Sequence, residues 1–313
     1  MVCNRREFIF GAGASLIAVA AGGDRLRAQS RARKTRLILL GTGGGPRPRK
    51  NNYASSQAIV INGVVYVVDC GDGVATQLVK AGLDLSAIRN VFITHHHSDH
   101  NADYGNLLLL GWTAGLKTRV DTWGPPPIVK MTRLFLEMNA VDIKTRIIDE
   151  GRIPLGPLIH PHDISSGGFV MKDDRVTVRC AIVDHGLLKP ALAYRFDSAD
   201  RSIVISGDTV RSDALVKLAK GADVLVHEAM YVPAIDKLAA RAPQASRLKA
   251  HLLVSHTSAE DAGRVAAAAS VKTLVLSHFV PPDAPAITDQ MWLDAARKHF
   301  NGEIIVGKDL MEI

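Results

Sequence analysis

The amino-acid sequence predicts an α/β protein in which two β-sheets are covered by helices on their outer sides. Apolar runs typical of strands dominate the beginning of each half of the chain, and helical patterns close each half. The 313 residues are 47% hydrophobic, which is enough for one large domain or two smaller ones. We find no low-complexity linker and no residue-level repeat in the sequence.

Local signals place the elements of the first half. The strand "LILL" runs into "GTGGGP", which lacks the lysine and hydroxyl of a phosphate-binding P-loop and predicts a tight turn. A hairpin follows, because two β-rich runs flank Asn62-Gly63 and end at Asp69. The later segments predict the helix "VATQLVK" closed by Gly82, a short buried strand from Asn90 to Thr94, the helix "ADYGNLLLLGWTAGL" and the strand "VDTWG", which prolines end.

The second half begins near Val176 with three predicted strands, "VTVRCAIVDHG", "ALAYRFD" and "SIVISGDT". Helix and strand then alternate through "ALVKLAKG", "ADVLVHEAM", "AEDAGRVAAAAS", "VKTLVLSHF" and "DQMWLDAARKHF".

The segment "THHHSDH", residues 94–100, holds four of the 12 histidines at the end of a predicted strand. Side chains at i and i+2 share a face there, so His95 and His97 point together while His96 points away. Asp99 and His100 follow where the chain turns and can approach the same point. Imidazole and carboxylate groups are common zinc ligands, so the segment predicts a metal site.

Three further donors stand at the carboxyl ends of other apolar runs: His185, Asp208 and His278. With the cluster they make seven donors, too many for one tetrahedral ion but suited to two metals that share a carboxylate. A second H-x-H pair, His160 and His162, has a proline between its members and no supporting aspartate, so we interpret both as loop residues.

The ordered strings "HHHSDH", "VDHG", "SGDT" and "LSHF" resemble the metallo-β-lactamase superfamily. The strings "VHEA" and "SHTS" are similar to its ribonuclease Z and arylsulfatase-like group. The resemblance covers most of residues 35–313 and implies a four-layered αβ/βα sandwich, one hydrolase domain over 34–313, with the metals in a cleft at the sheet edges.

The resemblance also implies a role for each residue. His95, His97 and His185 would hold one zinc ion, and Asp99, His100 and His278 the other, with Asp208 bridging. Other divalent cations in place of zinc stay open as an alternative. Asp69 would orient a ligand histidine. Asp99 would also belong to the catalytic residues, with His256 and Glu228, which would assist the leaving group.

The expected reaction is ester hydrolysis by a hydroxide that the two metals hold. Ribonuclease Z-like enzymes that process transfer RNA carry a long arm between the positions of His185 and Asp208, where this chain has only 22 residues. We therefore expect a small anionic substrate, an aryl or alkyl sulfate or a phosphodiester, and no nucleic acid. A lactone, β-lactam or amide hydrolase, a ribonuclease Z-like phosphodiesterase and a non-catalytic binding protein are the alternatives, and a homodimer stays open.

The N-terminus predicts export. Arg5 and Arg6 precede 16 uncharged residues, from Phe8 to Gly23, which are short for a membrane span but suit a signal peptide of residues 1–28. The arginine pair resembles a twin-arginine signal, which implies a periplasmic or secreted protein without a stable membrane anchor. A membrane anchor or a chance arginine pair is the alternative.

Cleavage near Ala28 would remove four arginines and two acidic residues and lower the formal charge from +7 to +5. It would also remove Cys3. The other two cysteines, Cys70 and Cys180, belong to no C-x-x-C pair, and whether they form a disulfide stays open.

Replacing Arg5 and Arg6 together by lysine should leave uncut precursor in the cytoplasm, because the export receptor reads the arginine pair. Cell fractionation followed by immunoblotting measures this. Normal export and trimming of the lysine variant would show that the twin-arginine interpretation is wrong.

Overall fold

The computed structural model describes residues 35–241 and 243–313. The predicted signal peptide of residues 1–28 lies outside the described residues, so cleavage and export stay predictions. Among the described helices, none has both the length and the apolar character needed to span a bilayer.

The first sheet has seven strands. Their bounds are β1 Thr35–Gly41, β2 Ser56–Ile61, β3 Val64–Val68, β4 Ile88–Phe92, β5 Val120–Gly124, β6 Ile159–Asp163 and β14 Met311–Glu312. The order across the sheet is β14-β1-β2-β3-β4-β5-β6. Strands β3 to β6 run parallel to one another, so their carboxyl ends meet at one edge of the sheet.

The second sheet also has seven strands: β7 Gly168–Lys172, β8 Val176–Val183, β9 Ala191–Ser198, β10 Ser202–Ile205, β11 Val224–Met230, β12 Thr273–Val280 and β13 Glu303–Val306. The order is β13-β12-β11-β10-β9-β8-β7, and β10 to β13 are parallel. Three of the predicted donors follow or end strands of this sheet, namely His185 after β8, Asp208 after β10 and His278 in β12.

Helices cover the outer faces of both sheets. Those of the first half are α1 Val74–Lys80, α2 Ser98–Asn101, α3 Tyr104–Thr113, α4 Ile128–Met138 and α5 Ala140–Glu150. Those of the second half are α6 Asp213–Ala219, α7 Ile235–Ala239, α8 Ala245–Ser255, α9 Ala259–Ala269 and α10 Asp289–Arg297. Helix α9 begins at the N-cap Ser258, whose hydroxyl accepts a hydrogen bond from the Asp261 amide.

Three apolar layers stabilise the sandwich, one between the two sheets and one between each sheet and its helices. They form because successive side chains of a strand point to opposite faces of the sheet. In β1, Ile38 and Leu40 face the helices, while Leu37 and Leu39 face the other sheet. The layer between the sheets is centred on the fully buried Phe92, whose ring meets Tyr194 and Phe196 edge-on at centroid distances of 5.3 and 5.1 Å. These contacts lie directly beneath the strand end that carries the histidine cluster.

The predicted α/β fold class and the four-layered sandwich are confirmed. The interpretation of His160 and His162 as loop residues is wrong, because both lie in the edge strand β6. Pro161 is tolerated there because β6 pairs with another strand on one side only.

Phe92→Ala should lower the free energy of unfolding by about 3–5 kcal/mol, because it opens a cavity between the sheets. Phe169→Ala is the matched control, since the Phe169 side chain is 68% exposed and its loss should change the stability by less than about 0.5 kcal/mol. Urea unfolding monitored by circular dichroism compares the two. Equal losses would contradict the assignment of Phe92 to the inter-sheet core.

Candidate metal centre

The histidine cluster lies where β4 ends. The chain leaves the strand through Ile93 and a bend at Thr94, and His97 has an extended backbone; α2 then begins and carries Asp99 and His100. The His96 side chain points away from the cluster, as the alternation predicts. Its Nε2 lies 2.8 Å from the Pro125 carbonyl oxygen, and its Nδ1 lies 3.0 Å from the Asn101 amide nitrogen.

Hydrogen bonds from the loop to the Asp69 carboxylate hold the loop in place. Asp69 follows β3 with a left-handed φ of 59°, which is costly for a residue other than glycine and turns its carboxylate toward the cluster. One carboxylate oxygen accepts a hydrogen bond from the Thr94 amide at 2.8 Å, and the other lies 2.7 Å from His100 Nδ1. The second bond leaves His100 Nε2 facing the centre of the site.

Three histidines form the first group of donors. His97 Nδ1 lies 3.1 Å from His95 Nε2 and 3.0 Å from His185 Nε2. His185 Nδ1 donates to the Ser255 carbonyl oxygen at 2.7 Å, which fixes the tautomer that leaves Nε2 free. Burial lowers the pKa of His95 well below its usual value and that of His185 to about 4, so both imidazoles are neutral, as metal ligands must be.

The second group of donors consists of Asp99, His100 and His278. His278 Nε2 lies 3.2 Å from the Asp99 carboxylate, and His100 Nε2 lies 3.7 Å from the same carboxylate. His278 has a φ of 45°, so the chain adopts a strained conformation to aim this ring inward from β12. Burial lowers the pKa of His100, but the carboxylates of Asp208, Asp69 and Asp99 outweigh burial and raise it well above its usual value, so a metal ion that binds Nε2 would have to displace a proton.

Asp208 lies between the two groups. Its Oδ2 is 3.7 Å from His95 Nε2 and 3.3 Å from His278 Nε2, and its Oδ1 is 3.4 Å from His100 Nε2. The side chain is 2% exposed. Burial raises its pKa, but His278 and His100 outweigh that effect and hold the pKa well below the usual range. A single ionised carboxylate therefore faces both groups.

Glu228 and His256 form a buried pair beside Asp208. His256 Nδ1 donates to Glu228 Oε2 at 2.8 Å, and the Thr209 amide donates to Glu228 Oε1 at 2.6 Å, so both carboxylate oxygens have protein partners. The His256 ring lies 3.8 Å from the Asp208 carboxylate. Burial lowers the pKa of His256, but Glu228 outweighs burial and raises it to about 9.

The donors fit a pair of metal ions. Ligand atoms within each group lie within 4.8 Å of one another. Two nitrogens on a tetrahedral zinc ion stand about 3.3 Å apart, close to the spacings around His97. Among the described residues, His100 Nε2 and Asp208 Oδ1 face the centre of the site and are buried without a hydrogen-bond partner, and cations would satisfy such atoms. The fold and this cluster indicate a binuclear metal site, while the role of each predicted ligand stays a prediction.

Two features of the site carried no signal in the sequence. His251 in α8 places its ring 6.2 Å from His97 and 6.1 Å from His256, measured between centroids. His251 is hydrogen-bonded to Ser255, four residues later in the chain. This spacing places the two side chains on one face only if the segment is helical, and the sequence did not predict that helix. The Gly45 amide donates to the Asp99 carboxylate at 2.6 Å and so attaches the glycine-rich loop to the site.

Comparison with known proteins identifies the family to which the chain belongs. Residues 65–279 match the family described as "Beta-lactamase superfamily domain". Ribonuclease Z of Mycobacterium sp. (strain KMS) is 34% identical over 279 residues, which cover 88% of this chain and 95% of that protein. Ribonuclease Z of Mycobacterium bovis (strain BCG / Pasteur 1173P2) is 32% identical over 280 residues, which cover 88% and 97% of the two chains.

Solved structures share the fold. The metallo-beta-lactamase fold protein YhfI from Bacillus subtilis superimposes with a TM-score of 0.66 at 18% identity, over 89% of this chain and 98% of that one. The short form of human tRNase Z gives a TM-score of 0.64 at 23% identity over the same shares.

The expectation of a small sulfate or phosphodiester substrate, with no nucleic acid as a partner, is wrong in view of these relatives, while export stays a prediction. The absence of a long arm between His185 and Asp208 does not separate this chain from them. An alignment of 279 residues that takes in 88% of this chain and 95% of the relative leaves no room within it for a long segment present in only one of the two.

Asp208→Ala should lower the metal content from about two ions per chain to one or fewer, because the replaced carboxylate faces both donor groups. Elemental analysis of protein purified without chelators measures it. Asp236→Ala is the control, since its carboxylate is 76% exposed and lies in α7. An unchanged metal content in the Asp208 variant would contradict the bridging position.

Proposed function

Because the chain belongs to the metallo-β-lactamase superfamily and, within it, to the ribonuclease Z group, we propose that it hydrolyses phosphodiester bonds of RNA, with transfer RNA as the substrate class. It is a metal-dependent hydrolase, and we propose zinc as the metal, because histidine nitrogens and carboxylate oxygens are zinc ligands. Two such cations, when bound, lower the pKa of water and neutralise charge that develops on the phosphate.

The observation that carries the proposal is the basic loop at the rim of the donor groups. This loop, residues 46–50, contains Arg47, Arg49 and Lys50. Arg49 donates to the Gly45 carbonyl oxygen at 2.8 Å, and the Gly45 amide donates to Asp99. The loop is therefore tied to the centre, while Arg47 and Lys50 stay exposed. Exposed cations beside a hydrolytic site favour a polyanion with phosphates on both sides of the cleaved bond.

Glu228 and His256 supply the proton that this reaction needs. A ribose oxygen is a poor leaving group, and it departs readily only if it is protonated as the P–O bond breaks. Glu228 accepts the hydrogen bond from His256 Nδ1, which fixes the ring and favours its protonated form, so Nε2 can donate. The water oxygen stays on phosphorus, the leaving oxygen takes the His256 proton, and solvent restores it.

Incubation of the metal-loaded protein with a transfer-RNA transcript that carries a 3′ extension tests the proposed function. We expect cleavage at one position, measured by gel electrophoresis, and no cleavage after chelation. An intact transcript under conditions in which small phosphodiesters are hydrolysed would overturn the RNA assignment.

His256→Ala should slow cleavage of that transcript by about 10²–10⁴-fold, because it removes the general acid. Hydrolysis of bis(4-nitrophenyl) phosphate should fall much less, since nitrophenolate leaves without a proton. Glu228→Gln should show the same selectivity with a smaller loss. His299→Ala, which alters an exposed ion pair with Glu260, is the control. Equal losses on both substrates would assign His256 to binding or folding rather than proton transfer.

A further inference from the structure

A second concave site lies at the β6 and β7 edges of the two sheets. The layer between the sheets is not closed there, and a groove of about 670 Å³ opens between β5 and β6 on one side and β7 on the other. This volume is in the range of small-molecule sites. Asn90, five residues before His95, and Trp123, two residues before Pro125, line the groove, so the strands that lead to the metal centre also form this groove.

Aromatic side chains form its walls. The Trp123 indole stacks on the His162 imidazole with centroids 3.9 Å apart and planes 14° from parallel. Across the groove, Phe169 in β7 is 68% exposed, an unusual place for a large apolar side chain. The exposed Phe169 ring and the half-buried Trp123–His162 stack are suited to stacking on unpaired nucleobases.

Asn90 adds a directed polar group. Its side chain is 6% exposed, and its Oδ1 accepts a hydrogen bond from the Trp123 indole at 2.9 Å. Within residues 35–241 and 243–313, nothing accepts a hydrogen bond from its Nδ2, although the residue lines the groove. This donor is not among the fully buried atoms that lack a partner, so water in the groove can reach it, and a base carbonyl or ring nitrogen would take the place of that water.

The charges of the groove favour an anion. Four cationic side chains line it, but only two carboxylates, those of Asp121 and Asp173. Asp121 is engaged by Arg119 and His162, and Asp173 accepts from Tyr66 and from two backbone amides. The remaining positive side chains in the groove are Arg89 and Lys172, because Arg175 forms an ion pair with Asp174. Arg89 donates only to backbone carbonyls, and Lys172 has no ion pair among the described residues.

We propose that this groove binds unpaired nucleotides of the RNA substrate. A base would stack against Phe169 and the Trp123–His162 pair and accept a hydrogen bond from Asn90, while Arg89 and Lys172 contact the adjacent phosphates. The inference rests on the proposed function for the identity of the ligand. It adds a recognition site that is separate from the metal centre.

The test measures the fluorescence anisotropy of a labelled hexa-adenylate that carries phosphorothioate linkages, so that the metal-loaded full-length chain cannot cleave it readily. Phe169→Ala should weaken binding by at least about fivefold, the loss expected for one stacked base. Asn90→Asp should weaken it as well, since it removes the donor, adds a negative charge and keeps the acceptor for Trp123. Leu134→Ala is the control, because this side chain is 46% exposed on α4, away from the groove.

Turnover separates this inference from the proposed function. Both groove variants should raise KM for the RNA transcript without changing kcat, and hydrolysis of bis(4-nitrophenyl) phosphate should not change. Unchanged oligonucleotide affinity in both variants would overturn the groove proposal even if RNA is cleaved. Groove-dependent binding by a protein that cleaves no RNA would refute the proposed reaction alone. Equal losses for a double-stranded RNA of the same length would refute recognition of unpaired bases.

Discussion

The hydrogen bonds of the Asp69 carboxylate hold the site together. This side chain is buried at the end of β3, and it accepts from the Thr94 amide and contacts the His100 ring. The bonds join the ends of the neighbouring strands β3 and β4 and leave His100 Nε2 facing the other donors. One carboxylate therefore fixes both the path of the chain there and the tautomer of a donor histidine. A charge-assisted hydrogen bond in a buried place is strong. The left-handed backbone conformation of Asp69 is tolerated because the contacts around this residue fix it.

The region around Asp69 contains several buried ionisable side chains. Asp99, Asp208 and Glu228 are all buried within a few ångströms of histidines. Ionised carboxylates in such a place are costly unless cations or hydrogen bonds compensate them. Glu228 is compensated by protein donors, whereas one oxygen of Asp208 has no protein donor. Glu228 therefore acts on the pKa of His256, whereas Asp208 keeps an oxygen available for metal ions.

Recognition of the substrate would depend on a different part of the sandwich. The rim loop at Arg47 and Lys50 and the groove at Phe169 both present cations, and the groove adds aromatic rings and an amide donor. A small ester would need neither surface. A long arm between the positions of His185 and Asp208 is only one way of holding RNA, so its absence does not exclude an RNA substrate, and fold and metals alone do not define a substrate.

The sequence by itself determined the fold class and the donor types, because strand and helix periods are local and the donors follow apolar runs. The alternation at His95 and His97 also follows from local geometry. Only the tertiary structure decided which donors meet, since Asp208 and His278 come from another sheet and the 69 residues between them contain the Glu228–His256 pair. It also placed His162 on an edge strand, beside Trp123, rather than in a loop. Such contacts join residues far apart in the chain, and the packing of two sheets, not any local pattern, sets their distances.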